Sequence, residues 1–238
     1  MCNECYRPAS MSRRGLLSGG AALLGAAASP FPSAFAQTAM PQNAISPDDA
    51  LKRIMDGNAR YAANTAANKD FSAGRAARVT GQYPVAAILS CADSRVAPEL
   101  AFDQGPGDLF VVRVAGNFVN DDVLASIEYA VKFLGAPLIM VLGHSNCGAV
   151  GAAIKVLKEG AKLPGHLQEM VRDIKPAVEI AKRGKPDNLL QASIEENVRY
   201  GVRRLTTAKP IVSKLVQDKK VKVVGANYDL ASGKVALL

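Results

Sequence analysis

Cys91, Asp93, His144 and Cys147 are the residues of this chain whose types and spacing suit chemistry. They come from two short stretches, Cys91-Ala92-Asp93-Ser94-Arg95 and His144-Ser145-Asn146-Cys147. Two thiolates, an imidazole and a carboxylate are ligand types that tetrahedral zinc accepts. A structural zinc site more often closes all four positions with Cys or His, frequently as paired Cys-x-x-Cys knuckles. Here the fourth candidate is a carboxylate with an arginine two residues on. A bidentate Arg95–Asp93 pair would leave zinc with three protein ligands and one open position, the arrangement of a catalytic centre. With Asp93 turned onto the metal, the site would be closed. The pattern therefore contains a switch between two states. Taken singly, each cysteine reads as a small buried hydrophobe and His144 as a satisfied core histidine. Taken together at two strand ends, they point to metal.

The elements that must position them are legible. Each stretch follows an apolar, β-rich run, Val85–Ser90 and Leu138–Gly143. Both therefore read as loops at the C-terminal ends of buried parallel strands, the edge where open α/β sheets bind ligands. Cys147 leads into a small-residue helix, Gly148–Lys158, whose N-terminal dipole favours a thiolate. Further strands are expected at Leu109–Val114, Val221–Gly225 and Lys234–Leu238. A helical arm is expected at Pro47–Asn64, with Ser46 as N-cap, Pro47 at the first position and Asp48 and Asp49 in the first turn. Asn64–Arg78 reads as a loop or weak helix, and Pro98–Phe102 as one helical turn. Helices follow from Asp121 or Asp122 to Leu134, then at His166–Lys182, Asp187–Thr207 and Pro210–Gln217. The fold class is α/β: a mostly parallel central sheet, about four parallel strands plus a short C-terminal fifth, flanked by helices. His166, beside Pro164-Gly165, reads as structural or a cap rather than a ligand.

The chain has 238 residues, 49% hydrophobic and 21% charged, with 5% aromatics and no tryptophan. That is ordinary globular composition. The net charge of +8 raises the question of nucleic acid or an anionic membrane. Lys and Arg are scattered among acids, without a basic run or an aromatic-basic ladder suited to base stacking, so nucleic acid is not an expected partner. The N-terminus reads as an address. Ser12-Arg13-Arg14-Gly15-Leu16-Leu17 is a twin-arginine pattern, Leu16–Ala28 is apolar, and Ala34-Phe35-Ala36 is a small-x-small cleavage site. The apolar run is 13 residues, short of the roughly 20 that span a bilayer, so no stable membrane anchor is expected. Residues 1–36 are read as a twin-arginine signal peptide and 37–238 as a single domain, with periplasmic or secreted localisation through the twin-arginine machinery. Cys2 and Cys5 precede the cleavage site and are read as incidental. The mature chain then keeps only Cys91 and Cys147. The default for two exported cysteines is a disulfide, but a metal would hold both as thiolates.

The two motifs resemble those of the β-class carbonic anhydrases: Cys-x-Asp-Ser-Arg, then His-x-x-Cys, here 53 residues from Cys91 to His144. Phe110–Asn117 (FVVRVAGN), Gly143–Val150 (GHSNCGAV) and Val224–Leu230 (VGANYDL) also look like segments of that family. The resemblance covers roughly residues 47–238. It implies one Zn2+ per chain on Cys91, His144 and Cys147, a catalytic dyad of Asp93 and Arg95, and Asp93 as fourth ligand in a closed state. It further implies CO2 and bicarbonate as substrates, with zinc lowering the pKa of bound water to about 7, and a homodimer or tetramer whose N-terminal helix reaches across the partner. Some members place a glutamine near substrate, and Gln104 is the candidate here, with a turn-surface glutamine as the alternative. The tryptophan of some members' bicarbonate site is absent, and Val114 replaces an asparagine common after the strand arginine, Arg113. The same chemistry could hydrolyse a CO2 analogue, carbonyl sulfide or carbon disulfide. A non-catalytic zinc-binding protein would lack Asp93 or Arg95, and a dithiol redox protein would usually carry Cys-x-x-Cys.

Overall fold

Short apolar strands alternate with amphipathic helices, and the result is a five-stranded sheet among the described residues. The computed structural model describes residues 41–67, 70–72 and 74–238. The expected signal segment, with Cys2 and Cys5, lies outside them. In chain order the elements are α1 (Pro47–Ala62), α2 (Arg75–Arg78), β1 (Ala86–Ser90), α3 (Pro98–Ala101), β2 (Leu109–Arg113), α4 (Asp121–Lys132), β3 (Leu138–His144), α5 (Gly148–Glu159), α6 (Leu167–Arg183), α7 (Leu189–Thr206), α8 (Val212–Gln217), β4 (Lys222–Tyr228) and β5 (Val235–Leu237). Strand order is β2-β1-β3-β4-β5. The first four strands are parallel, and β5 runs antiparallel to β4. This is the expected α/β class.

Every residue of β1 and β3 is buried, as strands covered on both faces must be. Their side chains alternate between two cores. Ile88, Met140 and Leu142 meet Ala50 and Ile54 of α1 on one face. Leu89, Ile139 and Val141 meet Ile127 of α4 and Val198 of α7 on the other. A third cluster, with Phe118, Val150, Val171 and Ile174, surrounds Cys91 and Cys147 beyond the strand ends.

The structure corrects several boundaries. The α4 cap is Asn120, whose Oδ1 accepts from Val123 N at 2.9 Å. Asp121 and Asp122 sit in the first turn, where acids favour the dipole. Asn188 caps α7 through Gln191 N, so that helix starts at Leu189 rather than Asp187. The arm ends at Ala62, and Asn64 turns the chain with φ 56°. Pro210 precedes α8 rather than opening it.

More consequential are two glycines that read as strand ends and are not. β3 continues through Gly143 to His144, and β4 through Gly225 to Tyr228, with His144 and Tyr228 paired in register. A Cβ on Gly143 would stand 2.6 Å from Val198 Cγ2, and one on Gly225 2.7 Å from Val198 Cγ1. Both positions are glycine because α7 presses Val198 onto the sheet between them. His144 is therefore the last residue of a strand, not the first of a loop.

Candidate metal centre

In the order β2-β1-β3-β4-β5, consecutive strands lead to opposite sides of β1. The C-terminal ends of β1 and β3 therefore flank the point where a doubly wound sheet opens a crevice. Cys91 follows β1 directly, His144 ends β3, and Cys147 is the N-cap residue of α5. The ligand atoms of these three residues lie within 4.8 Å of one another, and all three residues are buried.

Each ligand atom is aimed by neighbouring main chain. His144 Nδ1 is 2.9 Å from the Ser145 carbonyl. With Nδ1–H donating there, the lone pair of Nε2 is free to coordinate. Nε2 is buried and has no hydrogen-bond partner. A buried nitrogen without a partner is costly unless something else binds it. The Cys91 sulfur accepts from Gly116 N at 3.2 Å and lies 4.0 Å from the Cys147 sulfur. Two thiolates on tetrahedral zinc stand about 3.8 Å apart, given Zn–S near 2.3 Å. Both cysteines are free thiols.

Gly116 is fixed from both sides. Its φ is +87°, and an added Cβ would fall 2.5 Å from Ile174 Cδ1, so no other residue fits there without strain. Its carbonyl accepts from Nδ2 of Asn197 at 2.8 Å, a buried residue of α7.

The electrostatics favour a cation between the three. The hydrogen bond from Cys147 lowers the Cys91 thiol, with His144 and the Gly116 amide assisting against burial. The same contact, together with burial, pushes Cys147 up. Burial opposes charge on His144, but the nearby Cys91 sulfur outweighs it and raises the imidazole. Without a metal, then, the donors compete for protons, and a divalent cation would relieve that competition. The residues present fit zinc in number, type and separation.

Asp93 stands beside the cluster in the grip of Arg95. Its Oδ1 accepts from Arg95 N at 3.0 Å and Nε at 2.9 Å, and its Oδ2 from Nη2 at 2.8 Å. These bonds hold the carboxyl well below the usual range, the side-chain bond foremost. Oδ2 also lies 3.8 Å from His144 Nε2. The Arg95 Nη2 reaches the Asn146 carbonyl at 3.4 Å, which ties the first loop to the second. The carboxylate thus lies beside the cluster while engaged with Arg95.

Gln104 is held elsewhere. Its Nε2 donates to the carbonyls of Phe102 and Asp103, and its Oε1 accepts from Arg53 Nε at 3.1 Å. It lines a polar depression of about 400 Å3 with Arg53, Arg60, Asp103 and Asp108. None of its hydrogen bonds reaches the Cys–His–Asp cluster within one chain. His166 occupies the N-cap position of α6 without a side-chain cap bond, and its exposed ring lies 3.7 Å from Glu169. Sequence reading missed Asn197 and the special need for glycine at 116. A buried asparagine in a long helix carries no local signal, since its partner is 81 residues away.

A sequence profile described as carbonic anhydrase matches residues 86–235. "Carbonic anhydrase 2" of Mycobacterium tuberculosis is 38% identical over 195 residues, spanning 80% of this chain and 92% of the relative. A carbonic anhydrase of Pseudomonas aeruginosa is 37% identical over 169 residues, spanning 67% of this chain and 75% of the relative. Among solved structures, the β-carbonic anhydrase CcaA aligns at 26% identity and TM-score 0.62, covering 79% of this chain and 87% of the other. The Coccomyxa β-carbonic anhydrase in complex with acetazolamide aligns at 27% identity and TM-score 0.63, covering 79% and 86%.

Proposed function

This chain belongs to the β-class carbonic anhydrases, and from that premise we propose that it hydrates carbon dioxide reversibly to bicarbonate and a proton at one Zn2+ held by Cys91, His144 and Cys147. The observation that carries the reading is the buried, unpartnered Nε2 of His144 converging with two free thiols. Bound there, zinc would supply a Lewis acid that brings water's acidity near neutral pH.

The chain's own residues do the rest. Cys91, His144 and Cys147 fix the geometry and, being buried, keep bulk water from the ligand atoms. Ser145 sets the imidazole tautomer through its carbonyl. Asp93 Oδ2, facing His144 Nε2, accepts a hydrogen bond from the reacting water and orients it. Arg95 keeps that carboxylate ionised and turned off the metal. Phe118 and Val150, in the cluster around both cysteines, give CO2 an apolar wall. Stopped-flow hydration on zinc-loaded protein starting at residue 37 tests this. The parent is expected to turn over CO2, and Asp93→Asn, which removes the anionic acceptor, to lose at least about tenfold in kcat. Equal rates for both proteins would refute the role of Asp93.

Two further parts of the reading concern the whole chain. A homodimer or larger assembly fits the row of tilted rings formed by Phe110 of outer strand β2 with Tyr129 and Phe133, where Phe133 is 74% exposed. Sedimentation would show a single protomer if that is wrong. Export rests on the twin-arginine pattern at Arg13-Arg14 and the cleavage site before Gln37. Replacing both arginines by lysine should leave a tagged chain uncleaved in the cytoplasm, and unchanged export would overturn the assignment. Among the described residues, no helix is long and apolar enough to cross a membrane.

A further inference from the structure

Arg113 ends β2, where the register sets it opposite Ser90 of β1. Its side chain reaches across the strand end onto the loop that carries Cys91 and Asp93. Nε donates to the Cys91 carbonyl at 3.0 Å, and Nη2 to the Asp93 carbonyl at 2.7 Å. Both partners are main-chain oxygens, so Arg113 holds the backbone of the loop rather than another side chain. Around it the strands stay paired a little longer: Val114 N donates to Ser90 O and Ala92 N to Val114 O, each at 3.2 Å. The Asp93 carbonyl also accepts from Val96 N at 3.0 Å.

The two carbonyls belong to the residues that face the centre in different roles. Cys91 offers a ligand sulfur, while Asp93 offers the carboxylate that Arg95 grips from within the same loop. Beyond its own loop Arg95 has only the long 3.4 Å bond to the Asn146 carbonyl, so it holds Asp93 loosely relative to the metal if the loop shifts. Arg113 anchors that loop to the rigid sheet at two points two residues apart.

We propose that Arg113 is a positioning residue. Its guanidinium fork locks the Cys91 sulfur and the Asp93 carboxylate into one unit and so sets the distance from the metal to the group that orients the reacting water. Arginine is required because two carbonyls must be met at once by a planar fork, whereas a lysine ammonium is a point donor that would hold one of them firmly. A displacement of about 1 Å in such a group can cost a hundredfold in rate, and loss of an outer contact to a metal ligand typically costs 10–100-fold in metal affinity or activity.

The inference rests on the assignment of Cys91 and Asp93 made above. Its test compares zinc-loaded parent, Arg113→Met and Arg113→Lys, each started at residue 37 and checked for metal content. Two readouts are taken: kcat and KM for CO2 hydration, and the rate at which bound metal passes to an excess of chelator. Arg113→Met is expected to lose about tenfold or more in kcat with KM within twofold, and to release metal about tenfold faster. Arg113→Lys is expected to fall between Met and parent on both readouts. If both variants match the parent within twofold in kcat and metal release, Arg113 only finishes a strand and the proposal is overturned, whatever happens to the melting temperature. A parent that binds no metal, or hydrates no CO2, would overturn the underlying assignment and this inference with it. A working parent with unaffected variants defeats the inference alone.

Discussion

At the scale of single residues, the centre is a set of donors whose hydrogen bonds have been assigned elsewhere so that one atom of each stays free. His144 gives its Nδ1 to Ser145 and keeps Nε2. Asp93 gives three lone-pair directions to Arg95 and still turns Oδ2 toward the imidazole. The acidity of Asp93 is therefore a property of Arg95. Replacing Arg95 by Gln should raise the Asp93 carboxyl toward the ordinary range, read by carbon NMR titration of the labelled carboxylate. An unchanged titration would mean that other groups hold it. The sign for stability follows. A carboxyl whose folded pKa lies below its unfolded value contributes stability above about pH 4 and loses it as pH falls through the folded pKa. The Arg95→Gln variant should thus be less stable than the parent above about pH 4, with the difference shrinking as pH falls below that, and modestly so, because Arg95 is 54% exposed.

At the scale of elements, one helix decides how far two strands run. Val198 of α7 fills the space left by Gly143 and Gly225, which lets β3 reach His144 and β4 reach Tyr228. Gly143→Ala would force a methyl within 2.6 Å of Val198 Cγ2 and should destabilise the protein by about 1–3 kcal/mol, seen as a lower midpoint in urea. It should also weaken metal binding, because His144 is the next residue. Full stability in this variant would mean that α7 yields easily. The two ligand motifs, the strands before them and the helix after Cys147 were legible in the sequence, because each is a local pattern of apolar run followed by donor residues. The strand ends were not, since glycine reads locally as a breaker and its cause here is Val198 of α7, distant in sequence from both glycines. Asn120 went unseen for a related reason: two acids behind it made equally good caps by composition, and only geometry chooses. Gln104 could not be placed from its turn alone: within one chain its hydrogen bonds go to Arg53 and to its own main chain.

At the scale of the molecule, the strand order brings two distant loops to one crevice, where Nε2 of His144 lies buried without a hydrogen-bond partner beside two free thiols. Metal should therefore act as part of the fold. Removing it should lower the melting temperature, with the size of the shift set by metal concentration over Kd. Acid should do the same, because protons compete for both thiolates and the imidazole. Thiol titration of native protein should find Cys91 and Cys147 unreactive until a chelator is added, and two thiols afterwards. A disulfide, or two reactive thiols in metal-loaded protein, would contradict the metal assignment. The most direct measurement of the central claim is stopped-flow CO2 hydration on protein stripped of metal and then titrated with zinc. The account predicts no catalysis when stripped and recovery that is complete at one zinc per chain. Hydration that survives complete stripping, or none with one zinc per chain bound across the pH range from 7 to about 8.5, would contradict it.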